Sequence, residues 1–166
     1  MLLWATLSLH RGFFANAQAQ RQARWQQQAQ RRADALQVLV LGLGQMGLAA
    51  ARAIAAQGYR VAGFSLQPRV PGPALSGIEL HHGHAALHAL LPRSDIVINL
   101  LPLTAATQGL LDAAFFARLP PGAAIVNLAR GAHLVEADLL SALDQGQLQH
   151  AVLDVFHTEP LPADHV

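Results

Sequence analysis

Apolar positions along this chain come in short unbroken runs separated by stretches of mixed character. Residues 38–41 (V-L-V-L) are apolar without interruption, and a run of this length with β-branched members reads as a strand buried on both faces. Behind it, residues 48–58 are rich in alanine and end on Gly58, which reads as a helix with a C-terminal stop. The same reading predicts strands over 59–65, 78–80, 95–100, 123–128 and 150–155. It predicts helices over 84–91 and 136–143, and helical turns from 104 to 118. A Pro/Gly-rich loop falls at 67–77, and L-P-P-G at 119–122 is a firm break. Residues 1–32 read as one long helix, because Leu3, Leu7, Phe14 and Ala17 recur near helical spacing, ahead of a polar, glutamine-rich half that carries Trp25. Strands that are apolar throughout, alternating with helices, predict an α/β doubly wound parallel sheet, here preceded by a long N-terminal helix.

Between the first strand and its helix stands G-x-G-x-x-G: Gly42, Gly44 and Gly47. In a strand–turn–helix unit the first glycine makes the tight turn, the second lets backbone approach a pyrophosphate, and the third lets helix and strand pack closely. The unpaired N–H groups at the helix start, from Gln45 and Met46, then face the phosphates. The expected organisation is an N-terminal helix and connection over 1–36 and a Rossmann-type dinucleotide-binding domain over 37–166.

Composition narrows this only a little. The chain has 166 residues, is 52% hydrophobic and 13% charged, and so belongs with globular chains. A formal charge of +1 makes no electrostatic case for nucleic acid or for a membrane surface. All eleven basic residues are arginine, and cysteine is absent, which removes disulfides, thiolate nucleophiles and thiolate metal sites. Residues 2–9 are apolar and A-N-A at 15–17 resembles a cleavage site, but no basic residue precedes the run and His10 and Arg11 interrupt it. The expected location is cytoplasmic.

In a doubly wound sheet, chemistry gathers at the carboxyl ends of the strands. After the second strand no carboxylate occurs from 61 to 74; Ser65 and Arg69 there suit a ribose 2′-phosphate, unless Arg69 is only a solvated loop residue. The expected cofactor is therefore NADP(H) in preference to NAD(H). After the fourth strand comes L-P-L-T at 101–104, where Thr104 reads either as a site hydroxyl or as a helix N-cap. After the fifth comes N-L-A-R-G at 127–131, whose Arg130 offers a fork suited to a carboxylate. After the sixth, Asp154 and Glu159 bracket D-V-F-H-T-E-P. His84 and His88 share a helix face beside Glu79, but no first shell is complete, and no metal is expected.

These motifs, together with L-P-L-T-A-A-T (101–107) and L-D-V-F-H-T-E-P-L-P (153–162), resemble in order and spacing the D-isomer-specific 2-hydroxyacid dehydrogenases, nearest their bacterial glyoxylate/hydroxypyruvate reductase A branch. The resemblance implies an oxidoreductase that reduces a small 2-oxoacid, glyoxylate or hydroxypyruvate, with NAD(P)H. It implies that Arg130 binds the oxoacid carboxylate and polarises its carbonyl, and that Glu159 holds a histidine protonated. It implies that Asp154 meets the nicotinamide carboxamide and that Leu101, Pro102, Thr104, Leu128 and Ala129 line the nucleotide. Leu66 stands where that branch often carries arginine. The family's general-acid histidine follows a proline well beyond E-P-L-P, and neither His157 nor His165 takes its place. That absence, with the absence of the family's substrate-side half, predicts a part of such an enzyme that binds cofactor without turnover. A homodimer through the first helix is expected from family practice. The rival readings are a nucleotide-sensing dimer module and an inactive gene remnant.

Overall fold

The strand expected at the start of the domain forms over Gln37–Leu41 (β1), and all five of its residues are buried. That burial places it inside a sheet with both faces covered. The computed structural model describes residues 1–27, 29–70, 72 and 75–165. Pro71, Pro73 and Ala74 of the Pro/Gly-rich loop lie outside the described residues, as do Gln28 and Val166. The remaining strands are Arg60–Ser65 (β2), Ile78–His82 (β3), Ile96–Asn99 (β4), Ala123–Asn127 (β5) and Leu148–Leu153 (β6). They form one all-parallel sheet in the order β3-β2-β1-β4-β5-β6. The sixth strand begins two residues before the expected position and pairs with β5 across an irregularity at Ala123 and Ala124.

Successive side chains along each strand go to opposite faces. Leu39, Leu41, Phe64, Val97 and Ile125 build one core, with Leu87 and Leu90 of the helix His84–Leu90 and Leu139 of the helix Glu136–Asp144. Val38, Val40, Val61, Ile96, Ile98 and Val126 build the other, against Ala51 and Ile54 of the helix Gln45–Ala55. In chain order the helices are α1 (Leu2–His10), α2 (Phe13–Arg21), α3 (Gln45–Ala55), α4 (His84–Leu90), α5 (Ala113–Phe116) and α6 (Glu136–Asp144). Among the described residues no helix is long and apolar enough to cross a membrane.

The N-terminal segment departs from the single long helix expected over 1–32. Gly12 adopts the left-handed region at φ 65°, which ends α1 and starts α2 in a new direction. After Arg21 the helix stops, and tertiary contacts take over. His10 Nε2 reaches the Arg31 carbonyl at 2.7 Å while Nδ1 meets the Tyr59 hydroxyl at 2.7 Å. Since a carbonyl only accepts, the ring proton sits on Nε2 and the tyrosine donates to Nδ1. Arg31 pairs with Asp95 at 2.6 Å, and Asp95 also accepts from the Gln37 amide at 2.8 Å. A continuing helix would carry Arg31 away from the sheet.

A second departure lies between β4 and β5. The turns expected from 104 to 118 tighten into a helix only at α5, where Asp112 accepts from the Phe115 amide at 2.8 Å. No helix begins at Thr104, so its N-cap reading fails. Thr107, fully buried, organises the loop instead: its hydroxyl accepts from the Thr104 amide at 2.9 Å and donates to the Pro102 carbonyl at 2.7 Å.

Helix α3 meets β1 so closely that a β-carbon on Gly47 would stand 1.8 Å from the Gly42 carbonyl oxygen. Gly47→Ala is expected to lower stability by about 3 kcal/mol, read as a fall in the urea unfolding midpoint. His150 lies under the arm with its ring 5.5 Å from Phe14, and burial holds its pKa below the ordinary 6.5. The unfolded chain takes up that proton first, so stability is full above pH 6.5 and falls on acidification below it. His150→Gln should flatten that part of the stability–pH profile.

Candidate functional site

The order of the strands places a topological switch between β1 and β4, whose chains leave the sheet in opposite directions. A cleft of about 780 Å³ opens there. Gly42 shapes its floor: its φ of +92° excludes other side chains, and a β-carbon would lie 2.6 Å from the Leu100 carbonyl oxygen. Gly44 differs from both neighbours in the motif. A β-carbon at Gly44 meets nothing within 4 Å, and its backbone, at φ −66°, suits any residue. Nothing in the fold requires glycine at this position. The open space lies directly before α3, whose first turn carries no side-chain cap. Its N–H groups and the positive end of its dipole thus face an approach kept clear of side chains.

The structure brings most of the expected residues to this one cleft. Gly42, Gly44, Gln45, Met46 and Gly47 line it from β1 and α3, Ser65 and Arg69 from the end of β2, Leu101 and Pro102 from the end of β4, and Leu128, Ala129 and Arg130 from the end of β5. Among the described residues no carboxylate lines it, and its two cations are Arg69 and Arg130. They follow β2 and β5, which are three inter-strand spacings, about 14 Å, apart. The Ser65 hydroxyl donates to the Gln67 carbonyl at 2.6 Å, which leaves its lone pairs for a further donor. Arg130 exposes its guanidinium, with Nη1 donating to the Ala129 carbonyl at 2.7 Å.

Thr104, Asp154 and Glu159 are not in the cleft lining. The Thr104 hydroxyl turns to Thr107 at 3.1 Å. Asp154 is exposed, its amide donating to the Asn127 carbonyl at 3.1 Å. The Glu159 carboxylate accepts from the Phe156 amide at 2.9 Å, within its own loop. That loop is nevertheless held against the arginine: a β-carbon on Gly131 would stand 2.0 Å from the Phe156 carbonyl. Glu136 anchors it again, accepting from the His157 amide at 3.3 Å and meeting His165 Nε2 at 3.3 Å. Among the described residues no group of three or more histidine, aspartate or glutamate side chains is placed to hold a metal ion. Glu79 instead pairs with Arg93 at 2.9 Å and His81 at 3.4 Å.

Two residues hold the site together in a way the sequence did not reveal: Asn99, and Asn127, which stood out only as the start of N-L-A-R-G. Asn99 and Asn127 end β4 and β5, are buried, and are joined by Asn99 Nδ2 donating to Asn127 Oδ1 at 3.0 Å. Asn99 Oδ1 accepts from the Leu101 amide at 3.2 Å, and Asn127 Nδ2 donates to the Arg130 carbonyl at 3.1 Å. Two apolar strands that both end on asparagine were the available signal.

The family model for the NAD binding domain of the D-isomer specific 2-hydroxyacid dehydrogenases matches residues 3–166. This chain belongs to that family. A glyoxylate/hydroxypyruvate reductase A of Serratia proteamaculans is 43% identical over 146 residues, which are 88% of this chain and 45% of that protein. A family member from Klebsiella pneumoniae superposes with a TM-score of 0.93 at 44% identity, covering 98% of this chain and 51% of that one. One from Xanthobacter autotrophicus, solved with NADPH and MES, gives a TM-score of 0.92 at 42% identity, covering 98% and 50%. The chain thus spans about half the length of the 2-hydroxyacid dehydrogenases it matches. Gly44→Ala is expected to leave the unfolding midpoint within about 1 kcal/mol of wild type while abolishing dinucleotide binding, measured by ligand fluorescence.

Proposed function

We propose that this chain is the NADP(H)-binding part of a 2-hydroxyacid dehydrogenase that reduces glyoxylate or hydroxypyruvate to the corresponding 2-hydroxyacid. The observation that carries the reading is a cleft free of carboxylates, with an arginine at the end of β2 and another at the end of β5, and with the bare position at Gly44 between them. A carboxylate after β2 would favour a free ribose 2′-hydroxyl; Arg69 favours a 2′-phosphate, to which Ser65 donates once its hydroxyl turns from the Gln67 carbonyl. That the Xanthobacter relative was solved in complex with NADPH supports the same choice, with NAD(H) as the weaker ligand.

The cofactor supplies the hydride, and the protein's residues supply position and charge. Gly44 and the first turn of α3, through Gln45 and Met46, receive the pyrophosphate. Leu101, Pro102, Leu128 and Ala129 form apolar walls that exclude water from the nicotinamide end. Arg130 leaves its contact with Ala129 to bind the oxoacid carboxylate, and its charge stabilises the negative charge that develops on the carbonyl oxygen. The family resemblance assigns Asp154, which lies outside the cleft lining, to the carboxamide, and Glu159, whose carboxylate receives the Phe156 amide, to holding a general-acid histidine protonated for transfer to that oxygen. No Pro-His pair follows E-P-L-P in these 166 residues, so by themselves they bind cofactor without turnover. The exposed Trp4, Phe13 and Trp25 of the arm support a homodimer.

Titration with NADPH and with NADH at one salt concentration tests the reading. NADPH should bind at least tenfold tighter (about 1.4 kcal/mol), and Arg69→Ala should abolish that margin with little change for NADH. Equal affinities in wild type would remove the NADP assignment.

A further inference from the structure

Behind the cleft wall lies a buried imidazole to which the reading above gives no role. His133 is fully buried in the turn after Arg130. Its Nε2 lies 3.3 Å from the Pro102 carbonyl oxygen and its Nδ1 lies 3.2 Å from the Arg130 carbonyl oxygen. Pro102 belongs to the chain leaving β4 and Arg130 to the chain leaving β5, so the ring stands between the supports of the two cleft walls. Main-chain bonds stitch the same two segments farther from the cleft, with the Gly109 amide donating to Ala132 and the Leu111 amide to His133, each at 2.9 Å. The imidazole is the cross-link nearest to Pro102 and Arg130.

The supply of donors decides which nitrogen carries the proton. A carbonyl oxygen offers two lone pairs. The Arg130 oxygen already accepts from Asn127 Nδ2 at 3.1 Å and from the His133 amide at 3.2 Å. The Pro102 oxygen accepts from the Thr107 hydroxyl at 2.7 Å and has a lone pair left. A ring with one proton therefore places it on Nε2, toward Pro102. We propose that His133 is a positioning residue: its Nε2–H holds the Pro102 carbonyl and so sets the span between the Arg130 main chain and the Leu101–Pro102 wall, where the nicotinamide end of the cofactor fits. The inference rests on the reading of the cleft as the cofactor site.

Asparagine places a side-chain amide near the position of Nδ1, and glutamine places one near Nε2. NADPH and NADH are titrated against wild type, His133→Asn and His133→Gln, each checked for folding by circular dichroism. The glutamine variant should stay within about twofold of wild type. The asparagine variant should lose about tenfold for both cofactors, the worth of one buried hydrogen bond. The NADPH-to-NADH ratio should hold, because Ser65 and Arg69 lie at the far end of the cleft. A histidine that only fills space would weaken both variants alike, so equal affinities in the two overturn the proposal. Should either variant fail to fold, the wild-type ring is read by nitrogen–proton NMR: a proton on Nε2 supports the strut, and one confined to Nδ1 overturns it. Wild type that binds neither cofactor overturns the cleft reading and this inference together. Binding by wild type with no difference between the variants overturns the inference alone.

Discussion

The approach of one backbone to another at Gly47 and Gly42 is the constraint on which the rest of the site depends. With 1.8 Å between a hypothetical β-carbon and a carbonyl oxygen, only hydrogen fits between α3 and the turn that leaves β1. The helix is therefore seated over the carboxyl end of the sheet, with its uncapped first turn aimed at the switch between β1 and β4. The same turn brings Gly42 against the Leu100 carbonyl, so the loop after β4 begins where the helix begins. The floor of the cleft, between α3, the turn after β1 and the loop after β4, follows from contacts that admit no side chain.

Its walls are held from behind by buried polar groups. Each of these hydrogen bonds contributes about 1 kcal/mol, but leaving a buried partner unsatisfied costs about 1–3 kcal/mol. The Asn99–Asn127 pair, the Thr107 hydroxyl and the His133 ring thus act mainly by excluding other arrangements of the two loops. Arg130 shows the consequence. Its main chain is fixed by Asn127 and packed through Gly131 against Phe156, while its guanidinium is exposed and held by a single carbonyl. A fixed base with a free tip suits a cation that must turn to meet an anion.

The N-terminal arm obeys a different balance. Ala5 and Ala19 are buried, yet Trp4 is 55% and Trp25 97% exposed. The arm is tied down by apolar packing, with Ala5 in the core beside β1 and α3 and Leu2, Leu7 and Leu9 packed against it, and by polar bridges: His10 between Tyr59 and Arg31, and Arg31 on Asp95. An exposed ion pair contributes little in water; Asp95 contributes more by also receiving the Gln37 amide at the start of β1.

The fold and the phosphate-facing end of the site were legible in the amino-acid order. Unbroken apolar runs such as I-V-I and A-A-I-V, alternating with helices, are the pattern of a parallel sheet covered on both faces, and the three glycines mark positions where backbone must touch backbone or leave room. Both are local properties of the chain. What sequence could not resolve was decided by contacts distant along it. Residues 22–32 are polar enough for a helix, but Arg31 finds Asp95 across the sheet and the helix gives way. Thr104 and Thr107 are equivalent as letters, and only the burial of Thr107 among the Pro102 and Thr104 main-chain groups makes it the organiser of the loop. His133 has no neighbour in sequence that marks it out, since its partner at Pro102 lies 31 residues away and meets it only because β4 and β5 are adjacent in the sheet. Periodicity reports what a residue is beside along the chain, and hydrogen bonds across a sheet depend on which strands the topology makes neighbours.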